Sequence, residues 1–117
     1  MVTRRLEQTA AKGERLVARL LGAKRTTKLA PFDVVDFTQG YAYEVKTVSK
    51  LAITGSNKIH IEAKAWARKQ TFLQDYGLEG VLMVVVIATR DDVAVYRVPL
   101  RQHIRISTVI KLGTRIA

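Results

Sequence analysis

The sequence contains no cysteine and only two histidines, so several kinds of chemistry are excluded at the outset. Without cysteine the chain has no disulfide, no thiolate metal site and no cysteine nucleophile. His60 and His103 show no spacing typical of metal ligands. The expected setting is therefore intracellular, either cytoplasmic or associated with the nucleoid.

Long apolar segments are also missing. The longest apolar run spans residues 81–88, far short of the roughly 20 residues that a membrane helix requires. The N-terminal residues are charged and do not resemble a signal peptide. The sequence therefore predicts no membrane partner, and the run is interpreted as a buried strand.

Acidic residues are scarce relative to basic ones. The 117 residues include 20 Lys and Arg but only 10 Asp and Glu, which gives a formal net charge of +10. With 48% hydrophobic residues the chain has the composition of a folded protein, and its length fits one domain. The charge favours a polyanionic partner, foremost the DNA backbone, over the alternative of a merely solvated basic surface.

Hydrophobic periodicity predicts alternating helices and strands. Spacings of three and four indicate helices, and β-branched or alternating segments indicate strands. The predicted elements are a helix over 3–22, strands over 32–37 and 41–48, a basic loop over 49–58, a short extended segment over 59–61, a helix over 62–76, and strands over 81–88 and 93–98. The last eighteen residues fit more than one structure.

The strand over 41–48 carries the main candidate site. Side chains alternate between the two faces of a strand, so Glu44 and Lys46 share one face. A carboxylate beside an ammonium suits metal-assisted hydrolysis, because the carboxylate binds a hard cation and the lysine stabilises added negative charge. Asp33 on the preceding strand is the expected second ligand across a hairpin, with neighbouring Asp36 as the alternative. A solvated ion pair is the alternative reading of Glu44 and Lys46.

The acid-x-lysine pattern of Glu44 and Lys46 occurs a second time in the sequence, so the pattern alone is not specific. Glu62 and Lys64 match it, but they fall near a predicted helix start without a preceding acidic strand, so the context favours Glu44. Trp66 is expected in the core rather than as a base-stacking platform. Basic residues predicted to contact nucleic acid are Arg15, Lys24, Arg25, Lys28, Lys50, Lys58, Lys64, Arg68 and Lys69, although the helical ones also fit a solvated face.

Three short motifs resemble those of a known family. They are Lys12-Gly13-Glu14-Arg15-Leu16-Val17, Pro31-Phe32-Asp33-Val34-Val35 and Tyr43-Glu44-Val45-Lys46-Thr47. Together they are similar to the PD-(D/E)XK nuclease superfamily, and most of all to archaeal-type Holliday junction resolvases. One departure is Phe32, which stands where many members have a proline directly before the aspartate. The resemblance implies an α/β, restriction-endonuclease-like core with a mixed central sheet flanked by two helices.

The resemblance also implies roles for individual residues. Asp33, Glu44 and the Val45 backbone carbonyl would bind Mg²⁺, with Mn²⁺ as an alternative, and Lys46 would position or activate water. Glu14 would act through a water, or else it is an ordinary exposed helix glutamate. The expected partners are DNA, branched DNA in particular, and a second copy of the chain in a symmetric dimer.

The leading hypothesis is therefore a metal-dependent DNA endonuclease that promotes in-line attack of water on a phosphodiester. A DNA-binding or scaffold domain that keeps the nuclease fold without using it is the alternative from another class, because charge alone explains binding. An RNA-associated basic protein is a third reading, against which stands the absence of an RNA-binding signature in the sequence.

Overall fold

A computed structural model describes residues 2–22, 31–49, 58–89 and 91–117, with side chains described from Lys12 onward. The elements in chain order are α1 (Val2–Leu21), β1 (Val34–Asp36), β2 (Tyr41–Ser49), β3 (Lys58–His60), α2 (Ala63–Tyr76), β4 (Glu79–Ile87), β5 (Val93–Pro99), β6 (His103–Arg105), α3 (Ile106–Leu112) and β7 (Thr114–Arg115). The predicted loop over 49–58 lies mostly outside the described residues. No helix in the described ranges is long and apolar enough to cross a membrane.

The main sheet has five strands in the order β1-β2-β4-β5-β7. β2 and β4 are parallel, and the other neighbouring strands are antiparallel. The α/β class and the mixed central sheet are thus confirmed. The parallel pair is joined through α2, because parallel neighbours need a crossover connection rather than a hairpin.

Period-two alternation along β2 separates the two faces of the sheet, as predicted. Tyr43 and Val45 pack with Val17 and Ala18 of α1 in one buried cluster. Glu44 and Lys46 are in register with Leu82 and Val84 of β4, and these two residues belong to the cluster on the opposite face. The core is therefore two apolar layers, one on each side of the central strands.

The hairpin β1–β2 is shorter on its first strand than the predicted 32–37. β1 covers only Val34–Asp36 and pairs Val34 with Tyr43. Its turn is closed by the backbone N–H of Gly40, which donates to the Asp36 carbonyl at 2.9 Å. Gly40 has a φ of 82°, a left-handed conformation that favours glycine. Asp33 therefore lies directly before β1 and outside its regular pairing with β2.

α2 begins and ends close to its predicted limits. Gly77 follows it with a φ of 63°, and its N–H donates to the Leu73 carbonyl, which is a left-handed helix end typical of glycine. Ala65, Trp66, Phe72 and Leu73 are half-buried on one side of the helix. Trp66 is therefore half-buried and lies outside the fully buried core, in which the sequence had predicted it.

The C-terminal residues, which the sequence left open, form three short elements. β6 pairs antiparallel with β3 in a separate two-stranded ribbon. α3 follows at once and buries Ile106 and Val109 against the sheet. β7 then adds an edge strand beside β5. Helix α3 is thus a third helix in addition to the two that the resemblance implied.

Candidate metal centre

Asp33 is attached to strand β2 through both its backbone and its side chain. Its N–H donates to the Tyr43 carbonyl at 3.2 Å, and its Oδ2 accepts the backbone N–H of Val45 at 2.9 Å. Asp36 lies at the other end of β1, where its Oδ1 accepts the Gln39 N–H at 3.1 Å within the turn. The structure therefore places Asp33, rather than the alternative Asp36, beside the segment that carries Glu44.

Glu44 is a buried carboxylate between two lysines. Its residue is only 7% exposed. Oε2 lies 2.8 Å from Lys69 Nζ, and Oε1 lies 3.4 Å from Lys46 Nζ. The Lys46 side chain is 40% exposed, whereas that of Lys69 is 9% exposed. A buried charge is tolerated when it is paired, and here each carboxylate oxygen has a cationic neighbour.

Lys69 was predicted to lie on a DNA-facing edge of α2, and that placement is wrong. Besides Glu44, its Nζ donates to the Pro31 carbonyl and lies 4.9 Å from the centre of the Phe32 ring. The sequence did hold a signal, because every residue three or four positions away in the helix is apolar: Ala65, Trp66, Phe72 and Leu73. A lysine in such a stripe lies on the buried side and needs an acidic partner from another element.

The pKa of Asp33 is raised above its ordinary value of 3.8. Burial is the main cause, and the charge of Glu14 acts in the same direction. The Val45 N–H, Lys69 and Lys46 oppose it. Glu14 of α1 therefore lies within electrostatic range of Asp33, and a cation placed beside Asp33 would stabilise its charged form.

The carboxylate oxygens of Asp33 and Glu44 are the type of ligand that a hard divalent cation prefers. Mg²⁺ prefers oxygen ligands and is usually held by one or two carboxylates, with waters and substrate phosphates completing its shell. Asp33 and Glu44 supply such carboxylates. Within the described ranges no three His, Cys, Asp or Glu side chains form a group that could hold a metal ion. Asp33 and Glu44 are therefore candidate carboxylate ligands, and Glu14 does not join them in a three-residue metal-binding group within the described ranges.

Comparison with known proteins bears on the fold. No protein-family model and no curated protein sequence matches the chain. The 1.6 Å structure of Archaeoglobus fulgidus Hjc, a Holliday junction resolvase from an archaeal hyperthermophile, matches with a TM-score of 0.64 and 20% sequence identity, over 92% of this chain and 92% of that chain. The chain has a restriction-endonuclease-like fold. At this identity the likeness is evidence for the fold alone.

Within the restriction-endonuclease-like fold, Gly13 permits close packing of α1 on β2. A Cβ atom at position 13 would come within 1.9 Å of Thr47 Oγ1. Thr47 Oγ1 is itself buried and has no hydrogen-bond partner in the part of the chain that the structure describes. The glycine in the first motif thus has a packing reason, because it lets the helix approach the strand that carries Glu44 and Lys46.

The other predicted nucleic-acid contacts fall into two groups. Arg15, Lys58, Lys64 and Arg68 are exposed. Lys24, Arg25, Lys28 and Lys50 lie outside the described residues. Glu62 and Lys64, the second acid-x-lysine pattern, are both exposed at the start of α2. Glu44 of the first pattern is buried instead.

Proposed function

We propose that this chain is a metal-dependent endonuclease that hydrolyses phosphodiester bonds in DNA. The observation that carries the proposal is the buried Glu44, which lies between Lys46 and Lys69. The backbone N–H of the next residue, Val45, donates to the Asp33 carboxylate. Burying charged groups such as Glu44 and Lys69 costs free energy of folding. Clusters of charged groups that include a carboxyl with a raised pKa are concentrated at functional sites. The alternative of a solvated surface ion pair does not account for the burial of Glu44 and Lys69.

In this proposal Asp33, Glu44 and the Val45 carbonyl hold Mg²⁺ or Mn²⁺. The N–H and C=O of one strand residue point to the same side, so the Val45 carbonyl points toward the side from which Asp33 approaches. When bound, the cation would polarise the phosphodiester and favour formation of hydroxide from water. The fold would hold the carboxylates of Asp33 and Glu44 in position for the metal and the substrate phosphate.

The two lysines would have different tasks. Lys46 is exposed enough for its ammonium to reach a DNA phosphate and stabilise the negative charge that develops during attack of water. Lys69 is too buried to contact DNA, and its ammonium instead holds Glu44 in place. Glu14 would orient a water near Asp33, since it lies within electrostatic range of that carboxylate.

The preferred substrate would be branched DNA. Its support is the fold likeness to Hjc, a Holliday junction resolvase, together with the net charge of +10. A four-way junction has two equivalent strands to cut, which a two-fold symmetric homodimer would match. Apolar side chains that remain exposed after residue 70 are available for such an interface: Tyr76, Ile110, Leu112 and Ile116.

Cleavage assays on junction, flap, single-stranded and duplex DNA in Mg²⁺ test the proposal. Glu44→Gln is expected to lower the cleavage rate at least about a hundredfold, because a metal ligand is worth several kcal/mol in the transition state. Glu62→Gln is the matched control, since it alters the exposed acid-x-lysine pattern and should cut like wild type. If Glu44→Gln cuts as fast as wild type, the metal-binding role of Glu44 is wrong. If wild type binds DNA without cutting it, the non-catalytic binding domain is the better interpretation.

A further inference from the structure

The two-stranded ribbon β3–β6 has one buried and one fully basic side. Ile59 and Ile104, which are paired in register, are buried. The other residues of both strands are exposed, and they form two cross-strand pairs, Lys58 with Arg105 and His60 with His103. Because side chains alternate along a strand, these four basic residues share the outer face of the ribbon.

This arrangement is unfavourable for the ribbon itself. Like charges directly opposite each other on antiparallel strands are destabilising, and the ribbon carries no acidic residue to compensate. His60 and His103 have stacked rings with centroids 4.4 Å apart, and their Nδ1 atoms lie 2.6 Å apart. Two imidazoles this close can share one proton, but they repel each other once both are charged. An anion bound to this face would relieve the repulsion.

An anion suits this face better than a metal cation does. Two facing imidazoles are potential ligands for a transition metal. Lys58 and Arg105 on the same face would repel that cation, and no group of three potential ligand side chains exists among the described residues. The charge of the face is instead complementary to phosphate. Arg forms bidentate bonds to phosphate oxygens, and Lys binds them as a point charge.

The ribbon and the candidate metal centre lie on the same face of the main sheet. Ile59 and Ile104 pack in one cluster with Leu82 and Val84 of β4. Those two β4 residues are in register with Glu44 and Lys46, so they share a sheet face with them. A long polyanion bound at Glu44 and Lys46 would therefore extend on the side of the sheet where the ribbon is packed.

We propose that the outer face of the ribbon, formed by Lys58, His60, His103 and Arg105, is a contact surface for the phosphate backbone of DNA. The proposal rests on the proposed function, because it extends the footprint of the same substrate beyond the metal centre. The ribbon adds affinity without taking part in cleavage. Its two histidines add ring N–H groups that can donate to phosphate oxygens.

The test measures binding of a labelled DNA duplex as a function of salt in EDTA, where a metal-dependent nuclease does not cut. Each phosphate contact contributes about 0.9 to the slope of log K against log salt. Lys58→Gln/Arg105→Gln is therefore expected to reduce the slope by about 1.8. The control Lys111→Gln/Arg115→Gln removes two exposed positive charges elsewhere and should leave the slope unchanged. Equal slopes for both double variants would overturn the proposal.

A second arm uses the histidines. At one fixed pH, His60→Ala/His103→Ala should bind the duplex several-fold more weakly than wild type, because it lacks the ring N–H donors. The other charged residues of the ribbon and its flanks, Lys58, Arg105, Arg101 and Glu62, are the same in both proteins. Equal affinities, or a Zn²⁺-dependent rise in melting temperature that only wild type shows, would overturn the role of the histidines as phosphate contacts. Because EDTA removes cleavage from the measurement, inactivity of the enzyme would leave these outcomes unaffected.

Discussion

Replacing Lys69 by methionine tests the central ion pair of the site. The substitution keeps most of the side-chain volume and removes the ammonium that lies 2.8 Å from Glu44 Oε2. Removing one partner of a buried pair typically costs about 3 to 5 kcal/mol, because the other charge stays buried without compensation. Lys46 still lies 3.4 Å from Oε1, so we expect the lower end of that range, about 3 kcal/mol.

Such a loss is large for a domain of this size. Total stabilities are usually about 5 to 15 kcal/mol, and 1 kcal/mol shifts the melting temperature of a domain of this length by roughly 4 °C. Lys69→Met should therefore melt about 12 °C below wild type. Lys64→Met, an exposed lysine in the same helix, is the matched control and should change stability by less than about 0.5 kcal/mol.

Two further measurements separate the ion pair from simple packing. Glu44→Gln/Lys69→Met removes both charges and should be much less destabilised than Lys69→Met alone, since no unpaired charge stays buried. Mg²⁺ should also stabilise Lys69→Met more than wild type, because the cation replaces a missing positive charge beside Glu44. If Lys69→Met is as stable as wild type, or if the double variant is as destabilised as the two single changes added together, the buried ion pair does not have the role assigned to it.

Other predictions concern packing and pH. Gly13→Ala should destabilise the protein by about 1 to 3 kcal/mol, as seen in urea unfolding, because the new methyl meets Thr47 Oγ1, and Gly13→Ala/Thr47→Ala should recover part of the loss. Gly77→Ala should cost about 1 kcal/mol through its positive φ; an equally stable variant would contradict the helix end described above. Because the pKa of Asp33 is raised in the folded protein, protonation of Asp33 stabilises the metal-free fold at low pH. This stabilisation is fully present below pH 3.8 and is lost as the pH rises through the pKa of Asp33 in the folded protein. Asp33→Asn should abolish this pH dependence of stability. Calorimetry should show Mg²⁺ affinity falling as pH drops through the same range, because protonated Asp33 is a poor ligand; an unchanged affinity would exclude Asp33 as a ligand.

The sequence by itself determined the features that depend on local periodicity. The alternation along β2 placed Glu44 and Lys46 on one face, and the spacing of apolar residues located α1 and α2 to within a residue or two. Net charge indicated a polyanionic partner without reference to any fold. The inferences about helices, strands and shared faces hold because they concern residues a few positions apart, whose geometry a single helix or strand already sets. The polyanionic partner stays a prediction.

Only the tertiary structure decided which distant residues meet. It places Asp33, rather than Asp36, against Val45, because Asp33 directly precedes β1 and its carboxylate accepts the Val45 N–H. It places Lys69 beside Glu44 rather than on the expected DNA-facing surface. Helix α2 belongs to the connection between the parallel strands β2 and β4, and its inner side packs on the sheet. The tertiary structure also brought β3 beside β6, and with them the two histidines. Contacts of this kind depend on how elements pack across the chain. A local pattern can indicate that a residue such as Lys69 is buried, but it does not specify which distant residue it meets.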